Sequence, residues 1–159
     1  MHPPSYLATL ALIGASLLFS SGCGGPPPLH PIKGKITLGG KSYNRLIVYF
    51  RPAEGKADEY NLGVGETDKD GILTLRSAGG PGLKKGDYRI TFTCMVAPNA
   101  KGNTAIGSSE KPDDKGAVIM KELVPPPYDD KTSQEATPVN FTVKSGENIF
   151  DFDIPLNRS

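Results

Sequence analysis

The sequence predicts an all-β protein, a seven-stranded antiparallel β-sandwich preceded by an export signal. Three observations carry this prediction. Short runs of residues alternate between apolar and polar, the period of a half-buried strand. Glycine-rich turns separate these runs, and the 159 residues include 19 glycines and 15 prolines. No stretch after the signal has a convincing helical period, which favours a sandwich of two sheets.

The first four predicted strands lie before residue 76. The first is 32–38, where Ile32, Ile36 and Leu38 alternate with polar residues, and Gly39-Gly40 supplies the positive φ of a hairpin turn. The second is 46–50, ended by Pro52, and the third, weaker one is 62–67. Asp68-Lys69-Asp70-Gly71 predicts a tight turn rather than a calcium loop, and the fourth strand is 72–75.

The remaining strands are 87–96, 139–143 and 150–154, with a turn at 144–147. Between them, residues 97–116 break the alternation, which is typical of either a mobile loop or a binding loop. Residues 117–123 fit a short helix or a strand. The inward positions define a predicted core, which comprises Ile36, Val48, Phe50, Leu73, Leu75, Ile90, Phe92, Phe141, Phe150 and Phe152.

The N-terminus has the pattern of a lipoprotein export signal. An apolar run over residues 7–19 is too short to span a bilayer, which takes about 20 residues, and fits a signal peptide. Ser20-Ser21-Gly22-Cys23 follows and resembles a bacterial lipobox. The resemblance implies cleavage before Cys23 and lipidation of its thiol. An ordinary cleaved signal and an uncleaved anchor are the alternatives.

Composition excludes several classes of function. A formal net charge of +1 argues against a nucleic-acid-binding protein. After removal of the signal, His30 is the only histidine and Cys94, if Cys23 is acylated, the only free thiol. Zinc sites need three or four such ligands, so we expect no metal and no cofactor. Alternation places Cys94 on an inward face, as a small buried hydrophobic residue.

Two pairs of adjacent acidic residues could suggest hydrolytic chemistry. They are Asp113-Asp114 and Asp129-Asp130, both in Pro- and Lys-containing segments. A glycosidase holds two carboxylates at a fixed separation on a rigid scaffold. Adjacent residues in loops more often carry solvated charges, so we expect neither pair to be catalytic.

Several segments in order resemble one family of exported proteins. They are Gly34-Lys35-Ile36-Thr37-Leu38, Val48-Tyr49-Phe50-Arg51-Pro52, Thr67-Asp68-Lys69-Asp70-Gly71, Gly86-Asp87-Tyr88-Arg89-Ile90-Thr91, Pro127-Tyr128 with Thr132-Ser133, and Phe141 to Asn148 with Phe150-Asp151-Phe152. Together with the lipobox, this set resembles small planctomycete-type lipoproteins with a carboxypeptidase regulatory-like domain. The resemblance implies a transthyretin-like (prealbumin-like) sandwich and no known catalytic residues.

The sequence therefore divides into three parts. Residues 1–22 are predicted to be the signal peptide, 23–29 a Gly/Pro-rich linker, and 30–155 the β-sandwich domain with its long loop at 97–124. We expect a non-catalytic, lipid-anchored envelope protein that acts as a structural or binding module. Its expected partners are the membrane, other envelope proteins or cell-wall glycan, and Gly24 after Cys23 favours the outer membrane. The alternative is a small secreted or periplasmic enzyme, or a ligand-binding protein, that uses the 97–124 loop. A third option is an edge-strand interaction protein that pairs by β-augmentation.

Overall fold

A computed structural model describes residues 25–97, 102–105, 120–133 and 136–156. These residues form an all-β structure with one helix of a single turn. The elements are β1 (Ile32–Lys33), β2 (Ile36–Leu38), β3 (Ile47–Pro52), β4 (Gly63–Thr67), β5 (Leu73–Ser77), β6 (Gly80–Pro81), β7 (Gly86–Thr93), β8 (Met95–Val96), β9 (Lys121–Glu122), α1 (Asp130–Ser133), β10 (Asn140–Val143), β11 (Asn148–Ile149) and β12 (Phe152–Ile154).

The main sheet has six strands in the order β10-β7-β3-β4-β5-β6, and all its pairings are antiparallel. β7 is its longest strand and lies beside β3, with Val48 opposite Phe92 and Phe50 opposite Ile90. Alternate residues of these two strands are buried, as their apolar pattern predicts. Five of the predicted strands overlap strands of this sheet, namely 46–50, 62–67, 72–75, 87–96 and 139–143. The predicted strand at 87–96 also extends over β8, which pairs with β9 in a separate two-stranded sheet.

The second layer differs from a purely antiparallel sandwich. β1 pairs with β11 and β2 pairs with β12, and both pairings are parallel. The beginning and the end of the domain therefore lie side by side. Alternation predicted the buried faces of 32–38 and 150–154 correctly. The expectation of antiparallel pairing throughout is wrong at these strands. A period of two shows which face of a strand is buried, but it does not show which strand lies beside it or in which direction that strand runs.

The core lies between the two layers. Eight of the ten predicted core residues are buried, whereas Phe141 and Phe152 are only partly buried and pack against the core from its margin. Aromatic rings join the layers: Phe50 meets Phe150 edge-on at 5.3 Å, and Phe92 stacks on Phe152 at 5.4 Å. Tyr88 is also buried, and its hydroxyl donates a hydrogen bond of 2.7 Å to the Lys84 carbonyl.

Two predicted turns have the expected geometry. Gly39 and Gly40 have φ values of 59° and 76°, and Leu38 and Lys41 exchange backbone hydrogen bonds across them. In the second turn, the Asp68 carboxylate accepts the N–H groups of Asp70 and Ile72. Asp68 thus acts as a turn-capping residue.

The edge of β7 opposite β3 is covered along its length. β10 pairs with its first half. Further along, the N–H of Ile90 donates to the Val139 carbonyl and the N–H of Phe92 to the Tyr128 carbonyl, each at 2.9 Å. The described chain after the long loop therefore runs along this edge at Tyr128 and Val139.

Candidate functional site

The predicted lipidation residue, Cys23, lies outside the described residues, as do the signal peptide, Asp113-Asp114 and most of the 97–124 loop.

The described parts of that loop are bonded to the domain. The N–H of Asn44 donates to the Asn103 carbonyl, and Ala105 is buried. At the other end, β8 and β9 pair antiparallel, and the Glu122 carboxylate accepts the N–H groups of Cys94 and Val124 at 2.8 and 2.9 Å. Both described ends are therefore held in place.

The expectation of solvated charges at Asp129-Asp130 is wrong. Asp129 is only 5% exposed. Asp130 forms an ion pair with the Arg51 guanidinium, with 2.5 Å between Nη1 and Oδ1. The Thr91 hydroxyl donates to the same carboxylate and accepts a hydrogen bond from Arg51 at 2.8 Å. Because these partners lie on β3 and β7, far from Asp130 in sequence, local composition gave no signal of the pairing.

This polar cluster lies on the outer face of the main sheet. The Arg51 guanidinium carbon is 4.8 Å from the centre of the Tyr49 ring, a cation–π distance. Burial raises the pKa of the Tyr49 hydroxyl, and the negative charge of Asp130 adds to that effect. Arg51, Thr91 and Asp130 form hydrogen bonds with one another. Because Asp130 is the first residue of α1, the cluster is well suited to hold α1 against the sheet.

A separate groove of about 910 Å³ crosses the outer face of β4 and β5. Its apolar part is formed by Val64 and by Leu62, which is 40% exposed. Polar and charged side chains of both signs surround that part. The full lining is Asn44, Arg45, Ala57, Asp58, Glu59, Leu62, Val64, Gly65, Glu66, Thr67, Asp68, Thr74, Arg76, Ser77 and Ala78.

One end of the groove is built by an unusual backbone conformation. Arg45 has φ of 66°, a left-handed value that is uncommon for a residue with a side chain. Its N–H donates to the Thr67 carbonyl at 2.7 Å, and its guanidinium lies 4.0 Å from the Glu66 carboxylate. The buried Thr67 hydroxyl accepts the N–H of Leu46 and donates to the Tyr43 carbonyl. Such conformations persist where the surroundings fix them, and they concentrate at functional sites.

The opposite end is fixed by a network around Asp58. Its carboxylate accepts the N–H groups of Tyr60 and Asn61, each at 2.9 Å. A hydrogen bond from Lys84 lowers the pKa of this carboxyl, and the two side chains form an ion pair at 2.5 Å. The Asn61 side chain is buried, and its Oδ1 atom accepts a hydrogen bond from the Asp58 N–H. Both ends of the groove are therefore preorganised.

The Cys94 thiol and the residue types that bind metal ions are the next groups to consider in the described part of the chain. Burial raises the pKa of the Cys94 thiol to about 12, so this sulfur is protonated and unreactive at neutral pH. Among residues 25–97, 102–105, 120–133 and 136–156, no three His, Cys, Asp or Glu side chains are grouped to hold a metal ion. The single described helix is too short to cross a membrane.

Sequence patterns did not reveal the groove. Its residues come from loops and strands between 44 and 78, and most are common surface types. The positive φ of Arg45 has no signature in the sequence, since arginine does not favour that conformation. Comparison with protein-family models, with curated proteins and with solved structures found no match.

Proposed function

We propose that this protein is a non-catalytic, lipid-anchored envelope protein whose β-sandwich acts as a binding module. In this proposal the domain is a carboxypeptidase regulatory-like, transthyretin-like sandwich of seven principal strands. Cys23 is the lipidated N-terminus of the mature chain, and the outer membrane is the favoured location because Gly24 follows it. The groove over β4 and β5 contacts another envelope protein or cell-wall glycan.

The preorganised groove is the observation that carries the binding role. A surface fixed before binding loses little conformational entropy when a ligand arrives. The groove combines an apolar patch at Leu62 and Val64 with the exposed cation of Arg76 and several carboxylates. Mixed apolar and polar surfaces of this kind suit a macromolecular ligand, which supplies both apolar groups and hydrogen-bonding groups.

The linker supports the proposed location. Six residues separate Cys23 from His30, where the first described backbone pairing of the domain forms with Leu83. An extended, proline-rich segment of this length spans about 20 Å. A domain tethered in this way would stand clear of the lipid headgroups, and its groove would be accessible to envelope components.

Site-specific photo-cross-linking in the source cells tests the proposal. A photoreactive amino acid at Thr74, on the groove face, should give a discrete adduct with a protein or with glycan. The matched control is Ser145, which is exposed in the turn between β10 and β11. Adducts at Thr74 but not at Ser145 would support the groove as the binding surface. Equal labelling at both positions, or none at Thr74, would overturn it.

The alternative function is a small enzyme or ligand-binding protein that uses the 97–124 loop. The polar cluster of Arg51, Thr91 and Asp130 on the outer face of the main sheet is already bonded internally. A catalytic group there would first have to leave these partners. The same photoreactive residue at Asn103, in the described segment 102–105 of the loop, would label a ligand if this alternative holds.

A further inference from the structure

The edge of the second layer carries unpaired backbone groups. The N–H groups of Asn148, Phe150 and Phe152 donate to carbonyls of the N-terminal strand at 3.0, 2.7 and 3.0 Å. Since alternate residues of a strand direct their backbone groups to opposite sides, those of Ile149, Asp151 and Asp153 point away from the domain. The described pairings of this strand are with the N-terminal strand alone, and the described turn and loop hydrogen bonds include none to the backbone of these three residues.

An open apolar site lies beside this edge. A pocket of about 280 Å³ is lined by Tyr128, Pro138, Val139, Asn140, Phe150 and Phe152. Phe152 and Tyr128 are partly exposed there, although both pack against the core. On the solvent face of the same edge, Ile149 is 60% exposed. A strand added at this edge would place its inward side chains over the pocket and shield these groups.

The charges along the edge specify the added strand. Asp151 and Asp153 are exposed on its solvent face. The Oδ1 atom of Asp151 accepts the Lys35 N–H at 2.7 Å, and Oδ1 of Asp153 accepts the Thr37 hydroxyl and the Gly40 N–H. The neighbour on the other side, the N-terminal strand, presents Lys33 and Lys35 on that face and buries Ile32 and Ile36 inward. The existing neighbour thus alternates lysine and apolar residues, and Lys33 is paired with Glu147 at 2.6 Å. No ion pair among the described residues engages Asp151 or Asp153, and opposite charges across paired strands are favourable, so cations opposite these aspartates would be stabilised.

We propose that this edge, residues 149–153, binds an extended segment of another protein by β-strand addition. The segment carries Lys or Arg at alternate positions, facing Asp151 and Asp153, and apolar residues between them, facing the pocket. Backbone hydrogen bonds would give affinity, and the alternating side chains would give specificity. A second copy of this chain is a poor occupant, since antiparallel pairing of two such edges sets aspartates against aspartates.

The edge of β10 that faces away from β7 is also open, and it is a weaker candidate for strand addition. Val139 accepts a backbone hydrogen bond from Ile90, so alternation along the strand leaves the groups of Asn140 and Thr142 facing outward. The Thr142 hydroxyl already donates to Asp87. This edge is shorter than 149–153 and has no comparable row of charges.

The test uses the full chain in mild detergent and a labelled peptide of sequence Lys-Val-Lys-Phe-Lys-Val-Lys. Fluorescence anisotropy measures binding, and amide hydrogen exchange locates it. We expect slowed exchange at the amides of Ile149, Asp151 and Asp153, and weaker binding at high salt. A peptide with N-methyl groups on its edge-facing amides keeps every charge and should bind about tenfold more weakly, because it lacks backbone donors.

Ile149→Pro provides the matching change in the protein. It removes an outward N–H while leaving both aspartates in place, and proline is tolerated on edges whose N–H faces solvent. Ile149→Thr is the control, since it keeps the N–H. We expect about tenfold weaker binding for the first variant and unchanged binding for the second.

Four results would overturn the proposal. The first is equal binding of the N-methylated and unmodified peptides, which would indicate attraction by charge alone. The second is protection of the Asn140 and Thr142 amides in place of those at 149–153. The third is protection of 149–153 by self-association in the absence of peptide. The fourth is no binding of the unmodified peptide at low salt. The peptide comparison stands even if Ile149→Pro fails to fold.

Discussion

Gly34→Ala tests the closest backbone approach in the second layer. Gly34 lies between β1 and β2, opposite Phe150. A Cβ atom at Gly34 would lie 1.8 Å from the Phe150 carbonyl oxygen and 2.4 Å from its carbonyl carbon. Both contacts are with backbone atoms, so no side-chain rotation can relieve them. The two strands would have to separate by about 1.5 Å to reach ordinary van der Waals distance.

The cost follows from the hydrogen bonds on either side. Phe150 donates to Lys33 at 2.7 Å, and Phe152 donates to Lys35 at 3.0 Å. A separation of about 1.5 Å breaks both, at about 1 kcal/mol each. Overpacking adds about 1–3 kcal/mol. We expect a total loss of about 3–5 kcal/mol, which in a domain of this size lowers Tm by about 10–20 °C.

Urea and thermal unfolding, followed by far-UV circular dichroism, measure this loss. Gly25→Ala is the control, because a Cβ atom there meets no atom within 4 Å. The control should unfold like the wild type. If Gly34→Ala were equally stable, the parallel pairing of the N- and C-terminal strands would be refuted at its closest point.

Three further predictions concern the domain. Thr67→Val should lower the free energy of unfolding by about 1–3 kcal/mol, because it leaves buried backbone groups without their hydroxyl partner, whereas Thr67→Ser should be much milder. Asp130→Ala should lower the free energy of unfolding by about 1–3 kcal/mol and speed amide exchange along the outer edge of β7, because it breaks the partly buried ion pair with Arg51. Asp70→Ala, which breaks the exposed ion pair with Lys69, should leave the free energy of unfolding unchanged. Stability should decline as pH rises above about 9, because the Cys94 pKa rises from 9.0 to about 12 on folding and only the unfolded thiol ionises in that range. Cys94→Ala should make the decline shallower without abolishing it, since the pKa of Tyr88 is also raised, from 10.0 to about 12; an equally steep decline would contradict the assignment.

Local patterns were sufficient to predict strands and buried faces. The alternation at Val48, Phe50, Ile90 and Phe92 identified inward positions correctly, because each residue's orientation in a strand depends only on its neighbours in sequence. The glycine turn after Leu38 was predictable for the same reason, since positive φ favours glycine.

Properties that depend on distant partners were not predictable in this way. Asp130 lies 79 residues from Arg51, and nothing in its local sequence indicated an ion pair. The parallel pairing of β2 with β12 likewise joins residues more than 100 positions apart. The partial exposure of Phe152 follows from the open pocket between β10 and β12, which is a property of the assembled layers.

Lipidation at Cys23 is the claim on which the proposed envelope function depends most directly. The decisive measurement is the intact mass and membrane fractionation of the protein made in a bacterial host, beside Cys23→Ser. We predict a mature chain that begins at Cys23, carries the added mass of lipid, and sediments with membranes, whereas the variant lacks the lipid and moves to the soluble fraction. A soluble, unmodified wild-type chain would contradict the account.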